Sequence, residues 1–193
     1  AQLAVPLNVE GLGTITVDTA YGGDSFVIVD AAALGFALVP DEAHEIARLG
    51  VRITRAADEQ IGFHHPTNPD WRHFSFCLFA APVARQGREL TTAAVAIRPG
   101  KVDRSPTGTA LSARMAVLAA RGQMDQGDVL TVRSLIGSTF SGRILGPATV
   151  GDTKAIRPEI SGRGWITGIH QHMLDPDDPW PEGYRLSDTW GAR

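Results

Sequence analysis

Residues 103–121, which read DRSPTGTALSARMAVLAAR, decide how the rest of the sequence is interpreted. Pro106 precedes a run of small and apolar residues, and Gly122 follows that run. Because proline is tolerated where a helix starts and glycine commonly ends one, the two residues bracket a predicted helix. The apolar residues between them recur at helical spacing and indicate a core helix: Leu111, Met115, Leu118 and Ala119, with Ala110, Ala113 and Ala116 between.

The start of this helix is typical of a site for an anion. Its first turn, Thr107-Gly108-Thr109, has small side chains that leave backbone N–H groups accessible, and the helix dipole favours negative charge there. Asp103 lies just upstream and can hold a cation beside the anion. A carboxylate and an ammonium side by side are the two ends of an amino acid. From the residues alone a second interpretation stays open, in which Asp103 and Thr107 only cap a core helix.

The segment DRSPTGTALSARMA resembles the second active-site motif of the proline racemase family, which includes hydroxyproline epimerases and trans-3-hydroxy-L-proline dehydratases. The family pattern is roughly DRSP, then Cys or Thr, then GTGTSARMA, and the chain departs from it at Ala110 and Leu111. The similarity continues in the same order along the chain: YGGDSFVIVDA at 21–31, IGSTFSGRI at 136–144, PEISGRGWITG at 158–168 and DPDDPWPEGYRL at 175–186.

The resemblance implies a fold as well as a site. The expected class is α+β, like diaminopimelate epimerase, with β-strands wrapped around a central helix in each of two pseudo-symmetric domains. Residues 1–168 are expected to be the C-terminal catalytic half, and residues 169–193 a tail that returns toward a missing N-terminal domain. The family's first motif, a Met-Cys-Gly-His type stretch with the catalytic base, does not occur in this sequence. We therefore expect the isolated chain to be inactive and the longer protein to be an enzyme.

The resemblance also implies roles for residues in the helix-start motif. Asp103 is expected to hold the ring ammonium of a proline-type substrate, and the N–H groups of Gly108 and Thr109 its carboxylate. Thr107 is the expected catalytic residue, at the position where racemases carry a second cysteine. A hydroxyl is too weak an acid or base for two-base racemisation, so threonine favours the dehydratase branch. Its reaction is dehydration of trans-3-hydroxy-L-proline to Δ1-pyrroline-2-carboxylate, a cofactor-independent lyase chemistry in hydroxyproline metabolism.

Three other functions stay open at this point. A hydroxyproline epimerase or proline racemase, both isomerases, is the nearest alternative. A non-catalytic module that binds an amino acid is the second, and a purely structural β-rich domain is the third. Without the resemblance, the residues support only a globular domain with one helix start that suits an anion.

Three other groups of residues are site candidates. Tyr21-Gly22-Gly23 is a predicted pocket rim, with a plain tight bend as the alternative. Cys77 lies in an apolar run, where a cysteine is far more often an inert core residue than a nucleophile. The histidines at 64, 65 and 73 lack the ligand spacing of a zinc site, and no metal is predicted.

Composition limits the classes of partner. The chain has 193 residues, 43% of them hydrophobic, one cysteine and a net charge of −3. A slightly acidic composition does not indicate the basic surface that nucleic-acid-binding proteins use. No apolar run approaches the ~20 residues of a membrane span. The lone cysteine suits a reducing compartment, so the cytoplasm is the expected location. The expected partners are a proline-type small molecule, the missing N-terminal domain and, as one option, a second copy in a homodimer.

Local patterns predict a chain of many strands and two helices. Besides the helix described above, one helix is expected within 39–60, starting at Pro40-Asp41-Glu42. Predicted strands cover 5–9, 14–19, 26–29, 74–79 and 91–98, two strands within 130–145, a hairpin across 148–160 and an alternating stretch at 165–173; a polar turn is predicted at 84–89 and an irregular tail beyond 174.

Overall fold

The computed structural model describes residues 1–83, 90–184 and 186. Two compact units make up the chain, Ala1–Arg163 and Gly164–Arg193. All helices and strands of the described residues belong to the first unit, which also holds every residue of the predicted catalytic motif. Neither of the two described α-helices is both long and apolar enough to cross a bilayer.

Nine strands of the first unit form one continuous sheet. Most neighbouring strands are antiparallel, and two pairs, the third with the fourth and the fifth with the seventh, are parallel. The strands are β1 Gln2–Val9, β2 Gly13–Tyr21, β3 Ser25–Asp30, β4 Phe76–Ala80, β5 Leu90–Ile97, β6 Lys101–Val102, β7 Val129–Arg133, β8 Thr139–Val150 and β9 Thr153–Gly162. Their order across the sheet is β1-β2-β3-β4-β5-β7-β8-β9, with β6 paired to β5.

Two helices cover opposite faces of the central strands. Helix α1, Ala43–Gln60, follows a 3-10 turn at Pro40–Glu42, and helix α2 is Gly108–Ala120. Side chains alternate between the faces of a strand, so β3, β4 and β5 each contribute to two cores. The core beneath α1 takes Val27, Val29, Cys77, Phe79, Ala94 and Ala96. The core around α2 takes Phe26, Ile28, Leu78, Ala80, Ala93 and Val95.

Helix α2 is the central helix of the fold. It contacts β2 and β3 on one side and β8 and β9 on the other, so the sheet curves around it. Leu111, Met115 and Leu118 are buried within this wrap, as their helical spacing predicts. The predicted α+β architecture, with strands around a central helix, is confirmed. Helix α1 is also confirmed: its predicted apolar face buries Ile46, Ile53 and Ala57.

The largest error of the sequence-based prediction is at residues 165–173. The alternation there predicts a strand, but the described residues of the second unit form no helix or strand. Alternating apolar residues become a strand only where another strand takes their backbone hydrogen bonds, and none pairs with them among the described residues. The predicted irregular tail is confirmed over the described part of 175–186. The polar turn predicted at 84–89 lies outside the described residues.

Candidate active site

The corner between β6 and α2 brings the predicted catalytic motif together. Asp103 leaves the sheet with its N–H bonded to the Val95 carbonyl at 3.0 Å. Its Oδ1 accepts from the Ser105 N–H at 3.0 Å, and its Oδ2 accepts from the Thr107 hydroxyl at 2.5 Å. The Thr107 N–H in turn donates to Ser105 Oγ at 3.1 Å. These bonds fold residues 103–107 into one tight turn with the carboxylate and the hydroxyl side by side.

Thr107 occupies the N-cap position of α2, but its side chain does not cap the helix. The first helical bond runs from the Leu111 N–H to the Thr107 carbonyl at 3.0 Å. In the described part of the chain the N–H groups of Gly108 and Thr109 have no acceptor. The alternative in which Asp103 and Thr107 only cap the helix is therefore wrong, because the two side chains bond to each other instead. What remains is a helix start with bare donors, which suits an anion.

The backbone at Thr107 is strained. Its φ of +60° and ψ of 105° lie in a region that side-chain-bearing residues rarely adopt. Such strain persists only where the surroundings hold it, and it is frequent at functional sites. Here the surroundings include the bond from the Thr107 hydroxyl to Asp103, which turns this side chain away from the first turn of α2.

A second loop supports this corner, and sequence reasoning did not identify it. Ser138, between β7 and β8, donates its hydroxyl to the Arg104 carbonyl at 3.0 Å. Its oxygen also lies 2.7 Å from Ser134 Oγ, and Ser134 is buried. On the other side, Arg104 Nη1 donates to the Val102 carbonyl at 2.8 Å. Ser138 lies in the motif IGSTFSGRI, but no local pattern in that motif indicates its contact with Arg104.

Tyr21, Gly22 and Gly23 lie against the start of α2. A Cβ on Gly22 would meet the Thr109 carbonyl at 2.2 Å and the Ala113 nitrogen at 2.4 Å. Gly23, with φ +100°, faces the Thr109 side chain. The close approach that these glycines allow is therefore to a helix backbone. Whether they also form the rim of a pocket stays a prediction.

Tyr21 belongs to an aromatic cluster beside these glycines. Its ring packs edge-on against His65, with centroids 4.6 Å apart, and against Trp71 at 5.6 Å. Across the described residues, no three His, Cys, Asp or Glu side chains converge as metal ligands would. His65 is held as an aromatic neighbour, and the metal alternative for these histidines gains no support.

Cys77 is fully buried in β4, beneath α1. Burial raises the pKa of its thiol far above the ordinary value, which keeps it protonated at neutral pH. The thiol lies in the α1 core, and the predicted catalytic motif lies on α2. These observations agree with the inert core residue that the sequence favours.

A cavity of about 570 Å³ opens beside the C-terminal half of α2, away from the predicted motif. None of the seven predicted site residues lines it. Its wall includes Asp18 from β2 and Arg114 and Arg121 from α2. No feature of the sequence had pointed to this cavity, because Asp18 and Arg121 are 103 residues apart.

Comparisons with known proteins agree on the family. Residues 1–185 match the family described as Proline racemase. The chain is 36% identical to a hydroxyproline epimerase from Agrobacterium vitis, solved with bound trans-4-OH-L-proline, with a TM-score of 0.80 over 99% of this chain and 54% of that one. It is 32% identical to a probable proline racemase from Agrobacterium radiobacter K84, solved with bound carbonate, with a TM-score of 0.80 over 99% of this chain and 55% of that one. The chain thus spans about half the length of both proteins.

Proposed function

Since this chain belongs to the proline racemase family, we propose that it supplies one half of an active site for trans-3-hydroxy-L-proline, which the whole enzyme dehydrates to Δ1-pyrroline-2-carboxylate. One observation carries the proposal. A carboxylate, Asp103, and the bare N–H groups of Gly108 and Thr109 lie next to a hydroxyl, Thr107, where a two-base enzyme needs a thiol. That arrangement fits both ends of an amino acid.

Binding follows from the free hydrogen-bonding capacity of the corner. The substrate carboxylate takes the Gly108 and Thr109 N–H groups, which the helix dipole favours. A carboxylate offers about four acceptor positions, and Asp103 uses two of them for Ser105 and Thr107. The remaining positions are available to the two N–H bonds of the ring ammonium. The same N–H groups on α2 also stabilise the negative charge that develops when the Cα proton leaves.

Thr107 accounts for the choice of reaction. Its hydroxyl proton is already donated to Asp103, so toward a substrate its oxygen acts as an acceptor. It can receive a hydrogen bond from the C3 hydroxyl and orient that group, but it cannot return a proton to Cα. A base from the other half of the site removes the Cα proton. The C3–O bond then breaks, the leaving hydroxyl takes up the proton that the base removed from Cα and departs as water, and the resulting enamine tautomerises to the cyclic imine.

The domain division predicted from the sequence is part of the proposal. The segment 169–193 carries large apolar side chains that are exposed in this chain, among them Ile169 at 96%, Met173 at 82% and Leu174 at 78%. Apolar residues in such numbers usually mark a contact surface. We place them against the N-terminal domain that would also supply the base. Cytoplasmic location and a homodimer stay predictions.

Nuclear magnetic resonance of the 15N-labelled chain tests the binding step. Addition of trans-3-hydroxy-L-proline is expected to shift the amide signals of Gly108 and Thr109 first. The amide signals of Ala43 and Glu45, at the start of α1, are the internal control and are expected to stay in place. Equal shifts at both helix starts, or no shift at either, would contradict the proposed site.

A turnover assay tests whether the catalytic base is supplied from outside this chain. The longer protein, expressed with the segment that precedes Ala1, is expected to release water and form the cyclic imine. The 193-residue chain alone is expected to bind without turnover, because the base is missing. Dehydration by the chain alone would show that no base from a second domain is required.

Epimerisation of hydroxyproline is the second candidate function. It is favoured by the 36% identity to a protein described as a hydroxyproline epimerase. Proton spectra in D2O separate the two reactions, since epimerisation exchanges and inverts Cα while the C3 or C4 hydroxyl is retained. Inversion without loss of water would favour this candidate. Substitution Thr107→Cys is expected to add epimerisation where the first cysteine is present.

A further inference from the structure

The cavity beside α2 is independent of the proposed active site. Arg114 and Leu118 of α2, with Arg121 just after its end, form one wall at spacing i, i+4, i+7. Strands β2 and β3 contribute most of the rest, with polar residues such as Thr14 and Thr16 beside apolar ones such as Ile15. Its volume of about 570 Å³ falls within the range of roughly 300–1,000 Å³ that is usual for small-molecule sites.

Three of the four charged side chains that line the cavity have close hydrogen-bond partners. The Asp18 carboxylate, nearly buried, accepts from Arg121 Nη2 with both oxygens, at 2.6 and 2.8 Å. Its Oδ1 also accepts the Ala4 N–H at 2.9 Å. Asp30 is exposed and accepts the Ala32 and Ala33 N–H groups. Asp18 and Arg121 therefore form an ion pair, and Asp30 is held by backbone N–H groups while it keeps its negative charge.

Arg114 is the exception. Its Nε is buried, and within the described residues it has no hydrogen-bond partner. Within the described residues the guanidinium makes one hydrogen bond, a long one of 3.4 Å from Nη2 to the Ala81 carbonyl. Burial lowers the pKa of this guanidinium, as does the neighbouring Arg121, and the Asp18 and Asp30 carboxylates act in the opposite direction. An arginine nonetheless keeps its charge, so a buried donor here lacks an acceptor.

We infer that this cavity binds a small organic monocarboxylate, with the carboxylate paired to Arg114 and the apolar body against Ile15 and Leu118. The Nε and one Nη of an arginine form a fork that matches the two oxygens of a carboxylate. The four charged side chains that line the cavity, Asp18, Asp30, Arg114 and Arg121, have formal charges that sum to zero. A monocarboxylate therefore suits the unpaired Arg114 donor better than a more highly charged phosphate does. The wall combines polar and apolar groups, and its apolar part around Ile15 favours a ligand with a hydrocarbon body over acetate.

Titration of the 193-residue chain with benzoate and butyrate tests the inference. Both are expected to bind more tightly than acetate, and benzylamine, which has the opposite charge, is expected not to bind. Substitution Arg114→Gln is expected to weaken benzoate binding about tenfold or more, because a charge-assisted pair is lost. Arg48→Gln removes an exposed arginine of α1 and is the matched control, expected to leave the affinity unchanged.

Two readouts keep the result decisive. Thermal unfolding of Arg114→Gln and Arg114→Lys checks that the variants fold, and Arg114→Lys is expected to retain partial binding through its charge alone. The Gly108 and Thr109 amide signals are expected not to respond to benzoate, which separates this site from the proposed active site. Failure of benzoate and butyrate to bind, or equal binding by Arg114→Gln, would overturn the inference whatever the outcome for hydroxyproline.

Discussion

The two helices of this domain begin in different ways. At the start of α1, the 3-10 turn takes the first donors: Glu42 N–H bonds to the Val39 carbonyl and Ala43 N–H to the Pro40 carbonyl. At the start of α2 the donors of Gly108 and Thr109 stay bare. A proline precedes both helices, and acidic residues lie nearby in both cases. A helix start is therefore not a binding site by virtue of its sequence pattern, but only where the chain leaves its donors unused.

The carboxylates beside the two helix starts also differ in how many backbone N–H groups they accept. Glu42 folds back and accepts the N–H groups of Ala37, Leu38 and Val39, so both of its oxygens serve the preceding loop. Asp103 accepts from one N–H group and from the Thr107 hydroxyl. Both carboxylates stabilise a turn, and only Asp103 is proposed to bind a ligand as well. Four predictions follow this contrast, from the largest expected effect to the smallest.

Thiol labelling tests whether the α1 side of the sheet is closed. Cys77 lies beneath α1 with its pKa raised by burial, so a reagent reaches it only when the core opens. With an opening free energy typical of domain cores, native labelling is expected to be at least ~10³-fold slower than in denaturant. The rate is followed by absorbance with a chromogenic disulfide. Rapid labelling of the native chain would mean that α1 does not seal this face.

Substitution of matched aspartates tests the contrast between the helix starts directly. Asp103→Asn in the longer protein is expected to lower kcat/KM about 10²–10³-fold, as loss of one preorganised charged group does elsewhere. Asp41→Asn, the same change at the exposed start of α1, is expected to leave turnover unchanged. Steady-state kinetics measure both variants. Equal effects at the two positions would remove the functional distinction between the helices.

Gly22→Ala tests how closely the chain approaches α2. Its Cβ would meet the Thr109 carbonyl and the Ala113 nitrogen far inside contact distance, so strand and helix must separate. Overpacking of this kind is expected to lower the free energy of unfolding by about 1–3 kcal/mol, measured by urea denaturation. Gly164→Ala, where no heavy atom lies within 4 Å of the added Cβ, is the control. An unchanged midpoint for Gly22→Ala would contradict the packing described for α2.

Glu42→Gln is expected to have the smallest effect and a defined pH dependence. The Ala37 N–H, then those of Val39 and Leu38, lower the pKa of Glu42 below its ordinary 4.5. The carboxylate therefore stabilises the fold fully above that value, and the contribution is lost as pH falls through the lower, folded-state pKa. Thermal unfolding is expected to show a small deficit at neutral pH that disappears in acid. Glu10→Gln, in an exposed turn, is the control and is expected to show no such deficit.

The parts of the fold that the sequence predicts well are those set by local periodicity. Both helices and the strands that flank them follow from apolar spacing, and the hairpin of β8 and β9 follows from its Gly151-Asp152 turn. The resemblance to the family motif predicts that residues 103–107 belong to the site, but it does not predict the hydrogen bonds within this turn. Nothing local shows that the Thr107 hydroxyl turns to Asp103 and away from the helix.

The features that were missed depend on distant parts of the chain. The pair of Asp18 with Arg121 joins β2 to the end of α2, and no spacing rule relates residues so far apart. The sequence predicts Gly22 as part of a pocket rim or a tight bend, but not its contact with the backbone of α2, which lies well downstream in sequence. Residues 165–173 show the opposite error. Their local pattern predicts a strand, but the described residues offer no neighbouring strand to pair with it.

The alternation of β3, β4 and β5 between two cores has a consequence for how this domain can diverge. Leu78 and Phe79 are neighbours in sequence, yet they face α2 and α1 respectively. Substitutions at even-numbered positions of β4 therefore alter the packing against α2, and substitutions at odd-numbered positions alter the packing beneath α1. Neighbouring residues of one strand can thus transmit a change to one helix and leave the other helix undisturbed.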